Sequence, residues 1–357
     1  MREDNVDSFL RRVNRQSRDT GFLREVVWEL TGRCNLRCGH CYLPQNRLKR
    51  GGSQLSLAEI KKIISQLSRL SCLELTFTGG EVFTRPDILE ILSFAKEKGF
   101  LVTVITNAVL LDEKNIRRIS MFSQGIFFNV TLNTLSEKTS RVMTGVEGAL
   151  AKTLNAITLL KTYAISFSVS TLVTRHNFRE LDALIKFCAK LGVHHNQDYY
   201  LHPRQNQPSV KNKNQISYQQ IKQLVARDFG PGRNDFCRAD SQTRRLKSGQ
   251  VLYCEAGNTS MYISQFGRAG LCIDFPLPKA DTLKIGVDAA WQKVRAFAQS
   301  LKAPPGFKCV DCDLVNECAW CPAMGWIYHK NPFACVDFHK KAARAVAQVV
   351  KAGMDNG

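Results

Sequence analysis

Short apolar runs alternate with amphipathic helical patterns over residues 24–200, and this alternation constrains the fold more than any other feature of the chain. Strands are predicted over residues 24–30, 72–77, 100–107, 125–133, 165–173 and 193–201, and helices over 56–70, 85–99, 111–122, 148–163 and 178–192. The strands look apolar on both faces, as in a parallel sheet that helices cover. Six strand–helix units suit a partial barrel better than a closed eightfold one. The predicted fold class is therefore α/β, with a partial (β/α)6 TIM-like barrel.

Three cysteines follow the first predicted strand: Cys34, Cys38 and Cys41, with three and then two residues between them. In barrels of this type the chemistry takes place at the carboxyl ends of the strands. Thiolates bind soft metals, and three of them can hold three irons of a four-iron cluster while the fourth iron stays open. The alternatives are a zinc site that lacks its fourth ligand, or three incidental thiols.

Residues 34–41 resemble the signature of the radical S-adenosylmethionine (SAM) superfamily, in which the open iron chelates the amino and carboxylate groups of SAM. The resemblance implies SAM and one SAM-binding [4Fe-4S] cluster as cofactors, and it places His40 beside the adenine. A second stretch, FTGGEVF at 77–83, resembles the family's Gly-Gly-Glu motif. Gly79 and Gly80 let the backbone approach a ligand closely, and with Glu81 they would take the amino group of SAM.

Polar residues at the ends of later strands extend this predicted cofactor site. The stretch VTLN at 130–133 stands where the family often has Ser-x-Asp, which contacts the ribose, so Thr131 and Asn133 would take that role. Asn133 keeps the hydrogen-bonding ability of the aspartate but not its charge. Asn107 and Ser170 occupy mouth positions of other strands, and an ordinary turn or strand role is the alternative for each.

A second set of cysteines occupies the last third of the chain: Cys254, Cys272, Cys309, Cys312, Cys318, Cys321 and Cys335. With Gly267 between the first two, their order resembles the SPASM domain, except that two residues rather than three separate Cys318 from Cys321. The resemblance implies two auxiliary [4Fe-4S] clusters. The first would use Cys254, Cys272 and Cys321, and the second the other four. A zinc knuckle at 309–321 is the alternative.

Four further residues, three cysteines and one aspartate, also have predicted roles. Cys188 lies on an apolar helical face and Cys72 begins a strand, so both are predicted to be structural. Cys237 is a candidate to complete the first auxiliary cluster or to donate a hydrogen atom, or it does neither. Asp274 is a candidate base near the substrate, because related enzymes use an acid close to the equivalent of Cys272; a surface turn is its alternative.

The chain is predicted to divide into an N-terminal extension (1–22), a radical SAM core barrel (23–230), a SPASM auxiliary-cluster domain (231–340) and a C-terminal helix or tail (341–357). Ser56 and Glu59 form a capping-box pattern at the start of the first helix. The basic segment 202–249 is predicted to be a loop and linker, 251–254 and 261–273 are strand-like with glycines that suit a hairpin, and 338–352 is a predicted basic helix.

No apolar run reaches the length of about 18 residues that a membrane span requires. The charged start lacks an apolar signal core, so we expect a cytoplasmic protein. Clustered cysteines in a long unexported chain favour metal binding over disulfides.

The resemblance implies a radical SAM oxidoreductase or peptide maturase that abstracts a hydrogen from a peptide or protein, giving a cross-link, an epimerised residue or a formylglycine-type oxidation. A one-electron reductant such as flavodoxin or ferredoxin is implied. Only about 22 residues precede the first strand, which predicts that a separate protein or the core itself reads any leader peptide. The formal charge of +19 favours an acidic peptide. The segment 202–249 is the candidate surface for that peptide, with ten Lys or Arg against three Asp.

Dehydrogenation of a small molecule, RNA modification and a non-catalytic metal scaffold are the alternative functions. Nucleic acid is disfavoured as a partner because RNA-modifying relatives append a different domain.

Overall fold

Nine strands form a single sheet in the computed structural model, which describes residues 20–43, 53–203, 213–228, 246, 249–252 and 254–354. The strands are β1 (Glu25–Thr31), β2 (Glu74–Gly79), β3 (Leu101–Thr106), β4 (Ile126–Thr131), β5 (Phe167–Leu172), β6 (His195–Asp198), β7 (Ser260–Ile263), β8 (Arg268–Gly270) and β9 (Pro278–Asp281). Their order is β6-β5-β4-β3-β2-β1-β7-β8-β9. The strands β1 to β6 are parallel throughout, which confirms the predicted α/β partial barrel.

Helices follow the strands in the predicted alternation, and further helices lie in the C-terminal part. They are α1 (Leu57–Arg69), α2 (Ile88–Glu97), α3 (Glu113–Ser120), α4 (Glu137–Thr144), α5 (Ala149–Thr162), α6 (Leu181–Leu191), α7 (Tyr218–Asp228), α8 (Thr282–Ile285), α9 (Val287–Ser300), α10 (Pro322–His329) and α11 (Asp337–Met354). None of the described helices combines the length and the apolar character needed to cross a membrane.

Helix α1 shows how local sequence sets these elements. The Ser56 hydroxyl accepts a hydrogen bond from the Glu59 amide at 3.3 Å, and the Glu59 carboxylate accepts one from the Ser56 amide at 2.8 Å. This is the predicted capping box, which satisfies amides that would otherwise lack partners at the helix start. The apolar stripe of the helix is buried in the core that covers the outer face of the sheet: Ile60, Ile63, Ile64 and Leu67.

The inner face of the sheet differs from the prediction, because the strands are not apolar on both faces. In β3 the outward side chains Val102 and Val104 are buried in the core, whereas the alternate residues Thr103 and Ile105 are only partly buried. Side chains alternate with period two, so the outer face packs against helices while the inner face lines an open interior.

The C-terminal part continues the same sheet. Strand β7 pairs in parallel with β1, from Glu25 opposite Ser260 to Trp28 opposite Ile263. The hairpin predicted within 261–273 is present as β7 and β8. Residues 251 and 252, from a stretch that was expected to be strand-like, belong to no strand. Apolar residues from both parts of the chain share one buried core, which anchors the cysteine-rich region to the barrel.

Several C-terminal helices were not predicted. The basic segment 202–249 was read as a loop and linker, but α7 lies within it and packs against the tail helix α11 through Leu224 and Val346. Helices α9 and α10 were also missed. The tail helix itself was predicted over 338–352 and is confirmed as α11. The domain limits remain predictions, and the sheet runs across the limit placed at residue 231.

Candidate functional site

A cavity of about 610 Å³ opens at the carboxyl ends of the barrel strands, within the size range of small-molecule sites. The loop after β1 forms one wall, and the ends of β2 to β5 with helices α4 and α5 form the rest. The lining includes most of the predicted cofactor-site residues: Cys34, Cys38, Cys41, His40, Gly79, Gly80, Asn107, Thr131 and Asn133. Residues separated by up to about a hundred positions in the chain therefore meet at one cavity.

Helix α4, which was not predicted, lies beside the cysteine loop. Its hydrophobic pattern is short, but its ends carry clear signals. Ser136 caps the start by accepting a hydrogen bond from the Thr139 amide, and Gly145 ends the helix in the left-handed conformation. A search for Ser at the N-cap and Gly just beyond the last turn would have found this helix.

The C-terminal end of α4 holds the cysteine loop in place. The carbonyl oxygen of Thr144 accepts a hydrogen bond from the Arg37 amide at 2.8 Å, and that of Met143 accepts one from the Gly39 amide at 3.2 Å. Carbonyl groups in the last turn of a helix have no partner within the helix. The loop supplies those partners through its backbone, and its three cysteine side chains remain in the cavity wall.

The three thiols of this loop lie close enough to influence one another. Burial, followed by the charges of Cys41 and Cys34, raises the pKa of Cys38 to about 12. A close group of thiols that includes partly buried ones is unfavourable as thiolates unless a cation lies among them. A metal centre supplies that charge, since coordination deprotonates the thiol outright.

The N–H groups around Cys34 provide a second test of whether a sulfur cluster fits. The Leu36 amide donates to the Cys34 sulfur at 3.4 Å, and Asn107 Nδ2 lies 3.8 Å from it. Donors directed at the sulfur of a ligating cysteine stabilise the negative charge of a bound cluster. No group of three or more His, Cys, Asp or Glu in the described parts of the chain is arranged to hold a single metal ion. Three thiols that each bind a different iron do not need that tighter arrangement, so the donor set fits a cluster.

The two glycines after β2 are required by close backbone contacts. A Cβ on Gly79 would lie 2.3 Å from the carbonyl oxygen of Thr31, and one on Gly80 would lie 2.1 Å from that of Arg33. The amides of Gly80 and Glu81 donate hydrogen bonds to those same carbonyls, at 2.8 and 2.7 Å. The glycine turn therefore fixes the start of the cysteine loop. These amides are already used, so a SAM amino group, which is a donor, would need carbonyl oxygens in this turn.

We expect Gly80→Ala to lower the free energy of unfolding by about 2–3 kcal/mol, because the added methyl group meets backbone that cannot move independently. Urea unfolding of the metal-free chain measures this. Gly39→Ala is the matched control in the same loop, since its Cβ would make an ordinary contact of 3.5 Å with Asn214 Nδ2. Equal stability of Gly80→Ala and Gly39→Ala would contradict the assigned role of the turn.

Glu81 is fully buried and lies outside the cavity lining. Its carboxylate accepts hydrogen bonds from the Thr106 hydroxyl at 2.7 Å, the Asn107 amide at 2.8 Å and the Phe83 amide at 3.2 Å. Burial raises its pKa, and these hydrogen bonds oppose that rise. In this structure the carboxylate ties β3 to the glycine turn, and its predicted contact with SAM stays a prediction.

His40 lies in the cavity wall, where the resemblance places a group beside the adenine. Burial and, to a smaller extent, the charge of His176 lower its pKa to about 4. The imidazole is therefore neutral near pH 7. A neutral aromatic ring can stack on a purine without carrying a charge into the cavity.

The remaining predicted cofactor residues differ in how they face the cavity. Thr131 and Asn133 line it at the end of β4, and the Asn133 Oδ1 atom accepts a hydrogen bond from the Leu172 amide at 2.9 Å. This bond leaves the Asn133 amide nitrogen as the group able to reach a ligand. Ser170 lies on the same face of β5 as Leu172, which lines the cavity, but Ser170 itself is outside the lining.

The C-terminal thiols form two groups. Burial raises the pKa of Cys309 to about 12, and the charges of Cys335, Cys318 and Cys312 add to the shift. Two of the four, Cys309 and Cys318, pack against a small apolar core that contains Phe307 and Trp320. The four thiols are the set that the resemblance assigns to the second auxiliary cluster.

The other group contains the cysteines assigned to the first auxiliary cluster. Burial raises the pKa of Cys321 to about 12, and the charge of Cys254 adds to it. Burial also raises the pKa of Cys272, with contributions from Asp274 and Cys321. The group thus brings together residues from three separate segments. Cys237, the candidate fourth ligand, lies outside the described residues, so its role stays a prediction.

Asp274 pairs with His202, which the sequence analysis did not single out. His202 Nδ1 lies 3.0 Å from Asp274 Oδ1, and their side chains are 30% and 15% exposed. Although burial alone would lower the pKa of His202, the hydrogen bond to Asp274 and the charges of Asp274 and Asp198 raise it. The ring of Tyr42, in the cavity wall, lies 6.5 Å from that of His202. This pair therefore stands between the cavity and the first C-terminal group.

We expect the stabilising effect of this pair to depend on pH. The folded-state pKa of His202 exceeds its ordinary value of about 6.5. The stabilisation is therefore complete below about pH 6.5 and is lost as the pH rises through the folded-state pKa. Urea unfolding of His202→Gln should show a destabilisation that shrinks between about pH 6 and pH 9. His194→Gln, at an exposed position, is the control. A destabilisation that stays constant with pH would contradict the charged pair.

Comparison with known proteins gives the family of the barrel. Residues 28–188 match the family model of the radical SAM superfamily. The antilisterial bacteriocin subtilosin biosynthesis protein AlbA of Bacillus subtilis is 28% identical over 256 residues, which are 70% of this chain and 55% of AlbA. The PqqA peptide cyclase of Rhodopseudomonas palustris is 30% identical over 171 residues, 47% of this chain and 44% of the cyclase. An AdoMet-dependent heme synthase of Methanosarcina barkeri is 22% identical over 325 residues, 85% of this chain and 92% of the synthase.

Solved structures support the fold. SuiB of Streptococcus suis bound to S-adenosylmethionine matches with a TM-score of 0.66 and 17% identity, covering 93% of this chain and 79% of SuiB. The enzyme anSMEcpe with bound AdoMet and Cp18Cys peptide matches with a TM-score of 0.66 and 13% identity, covering 93% of this chain and 99% of that one. At these identities the likeness is one of fold. This chain spans little more than half the length of AlbA, at 55%.

Proposed function

Residues 28–188 of this chain form a radical SAM domain, and from this premise we propose that the protein reductively cleaves SAM and uses the 5′-deoxyadenosyl radical to abstract a hydrogen atom from a peptide or protein. The observation that carries the proposal is the convergence of Cys34, Cys38 and Cys41 on one cavity with His40 and the glycine turn. A [4Fe-4S] cluster on the three thiols would supply one electron to the carbon–sulfur bond of SAM.

The chain's own residues bind, orient and exclude water. In this proposal the neutral His40 ring contacts the adenine, Asn133 and Thr131 take the ribose, and carbonyl groups of the glycine turn accept the amino group. Apolar side chains complete the wall of the cavity: Ile105, Leu132, Met143, Leu150 and Leu172. A dry wall protects a reactive carbon radical from side reactions, and fixed contacts hold the target bond beside it.

The peptide substrate is supported by two relatives. AlbA is named for bacteriocin biosynthesis and the PqqA cyclase for a peptide. The formal charge of +19 suits an acidic partner. In this reading the two C-terminal thiol groups hold auxiliary clusters that accept or relay an electron. A reductant such as flavodoxin or ferredoxin supplies electrons in a reducing cytoplasm.

The second candidate is oxidation of a small anionic molecule. The heme synthase of Methanosarcina barkeri aligns over 85% of this chain and 92% of its own length, so it shares both parts of the molecule. The same cavity and the same thiols would serve either substrate. The two candidate functions differ in which substrate, a peptide or a small anionic molecule, fits the space beside the cavity. Tight binding of a carboxylated tetrapyrrole, with no binding of acidic peptides, would favour this second function.

The deciding experiment is anaerobic reconstitution of the full chain with iron and sulfide, followed by reduction with dithionite in the presence of SAM. We expect 5′-deoxyadenosine and methionine in equal amounts, and about twelve irons per chain if all three sites are filled. A reconstituted protein that carries its iron but leaves SAM intact under reduction would reject the enzyme in favour of a non-catalytic metal scaffold. Strongly salt-dependent RNA binding would revive the RNA-modifying alternative.

A further inference from the structure

The side chain of Asn107 has a fixed orientation at the edge of the cysteine loop. Its Oδ1 atom accepts a hydrogen bond from the Val109 amide at 3.0 Å. Because that atom must be the acceptor, the Nδ2 atom is the one that faces the loop. There it lies 3.0 Å from Asn35 Oδ1 and 3.8 Å from the sulfur of Cys34. Asn107 therefore donates toward the first cysteine of the loop.

The orientation of Asn107 in turn fixes that of Asn35. Asn35 Oδ1 accepts from Asn107 and lies 3.9 Å from the Cys34 sulfur, so the Asn35 Nδ2 atom points away from that sulfur. That atom is buried, and Asn35 lies outside the cavity lining. The donors at the Cys34 sulfur are therefore Asn107 Nδ2 and the Leu36 amide, which lies 3.4 Å from it. Asn35 holds the Asn107 amide in place.

Glu81 fixes the backbone position of Asn107. Its carboxylate accepts the Asn107 amide at 2.8 Å and the Thr106 hydroxyl at 2.7 Å, so the end of β3 is tied to the glycine turn. The Asn107 carbonyl also accepts a hydrogen bond from the Thr153 hydroxyl at 2.9 Å. These bonds to two neighbouring elements restrict the backbone of Asn107 and keep its side chain next to Cys34. Glu81 itself does not line the cavity.

We propose that the Asn107 side chain, held by Glu81 and by its hydrogen bond to Asn35, donates to the sulfur of Cys34 in the cluster and raises the cluster's reduction potential. The inference rests on the proposed function, because it concerns the cluster of that same site. Hydrogen bonds to the sulfurs of an iron–sulfur cluster stabilise its more negative, reduced form. Asn107 is a positioning residue: it acts on the cluster through sulfur and is not assigned any contact with the substrate.

The test uses the full chain reconstituted with ferrous iron and sulfide, and SAM as the probe. The EPR signal that changes when SAM is added belongs to the cluster with the open iron, and its midpoint potential is measured by redox titration. Asn107→Leu removes the donor at similar size. We expect its midpoint to fall so that the reduced fraction at a fixed poise drops about tenfold, which is 59 mV for one electron. Asn107→Asp should fall further, because it loses the donor and adds a negative charge.

Asn155→Leu is the matched control, since it makes the same substitution at an exposed position of α5; its midpoint should equal that of the wild type. An unchanged midpoint in Asn107→Leu overturns the proposal. If Asn107→Leu fails to load iron, Asn107→Asp decides instead, because it keeps the oxygen that accepts from Val109 but loses the donor; an unchanged midpoint there overturns the proposal equally. A wild-type chain that is fully loaded with iron yet shows no SAM-responsive signal would mean that the proposed function has failed, which is a different result.

Discussion

Replacing Cys38 with alanine should reduce SAM cleavage to the rate seen without enzyme, while about eight of about twelve irons remain bound. The physical reason is that Cys38 is the middle thiol of the group in the cavity wall, flanked by Cys34 and Cys41. Two thiolates cannot hold three irons with one corner open. The measurement is anaerobic reconstitution, an iron assay and detection of 5′-deoxyadenosine after reduction.

Cys188→Ala is the control for losing a cysteine. Cys188 is 1% exposed and lies in the apolar core of the barrel, away from the cavity. Removing its sulfur should cost about 1 kcal/mol of stability through lost apolar contact and leave both iron content and SAM cleavage unchanged. Full SAM cleavage by Cys38→Ala would remove the basis of the proposed site, and equal iron loss in both variants would point to unfolding instead.

Replacing Cys309 with alanine should spare SAM cleavage and abolish conversion of the physiological substrate. Cys309 packs against the small core of Phe307 and Trp320 and belongs to a group of four thiols that lies outside the cavity lining. We expect a loss of about four irons per chain and formation of 5′-deoxyadenosine within about twofold of the wild-type rate. The fold of this region should persist because the Trp320 indole nitrogen donates to the Ala334 carbonyl at 2.9 Å, which is independent of any metal.

Cys72→Ala serves as the control for this second variant. Cys72 is 6% exposed at the start of β2 and belongs to neither thiol group. It should keep all of its iron and convert substrate normally. Iron content that is unchanged in Cys309→Ala would contradict the assignment of this residue to a cluster, and loss of SAM cleavage would show that the two sites are not separable in the way that we propose.

The local sequence predicted those elements whose determinants lie within a few residues of one another. The capping box of Ser56 and Glu59 and the apolar stripe of α1 are examples, and both are present. The cysteine loop after β1 was likewise placed correctly at the carboxyl end of the sheet. By contrast, helix α4 was missed because it is short and mostly polar, although its Ser136 and Gly145 caps were readable.

The contacts around the site could not be read from sequence, because they join residues far apart in the chain. Nothing in the local pattern indicates that Asp274 meets His202 at 3.0 Å. The Gly-Gly-Glu resemblance suggested that Glu81 touches the cofactor, yet here its carboxylate is turned to Thr106 and Asn107. A side chain's role depends on its burial and its partners, and neither is a property of the residue type.

The sequence by itself determined the class of fold and the chemistry that the site can hold, because strand and helix periodicity and cysteine spacing are local properties of the chain. The tertiary structure alone decided the rest: that β7 joins β1, that the end of α4 fixes the cysteine loop, and that Asn35 and Asn107 meet at Cys34. These are contacts between distant segments. Only packing of the shared core brings such segments within hydrogen-bond distance, and that packing depends on residues from the whole chain.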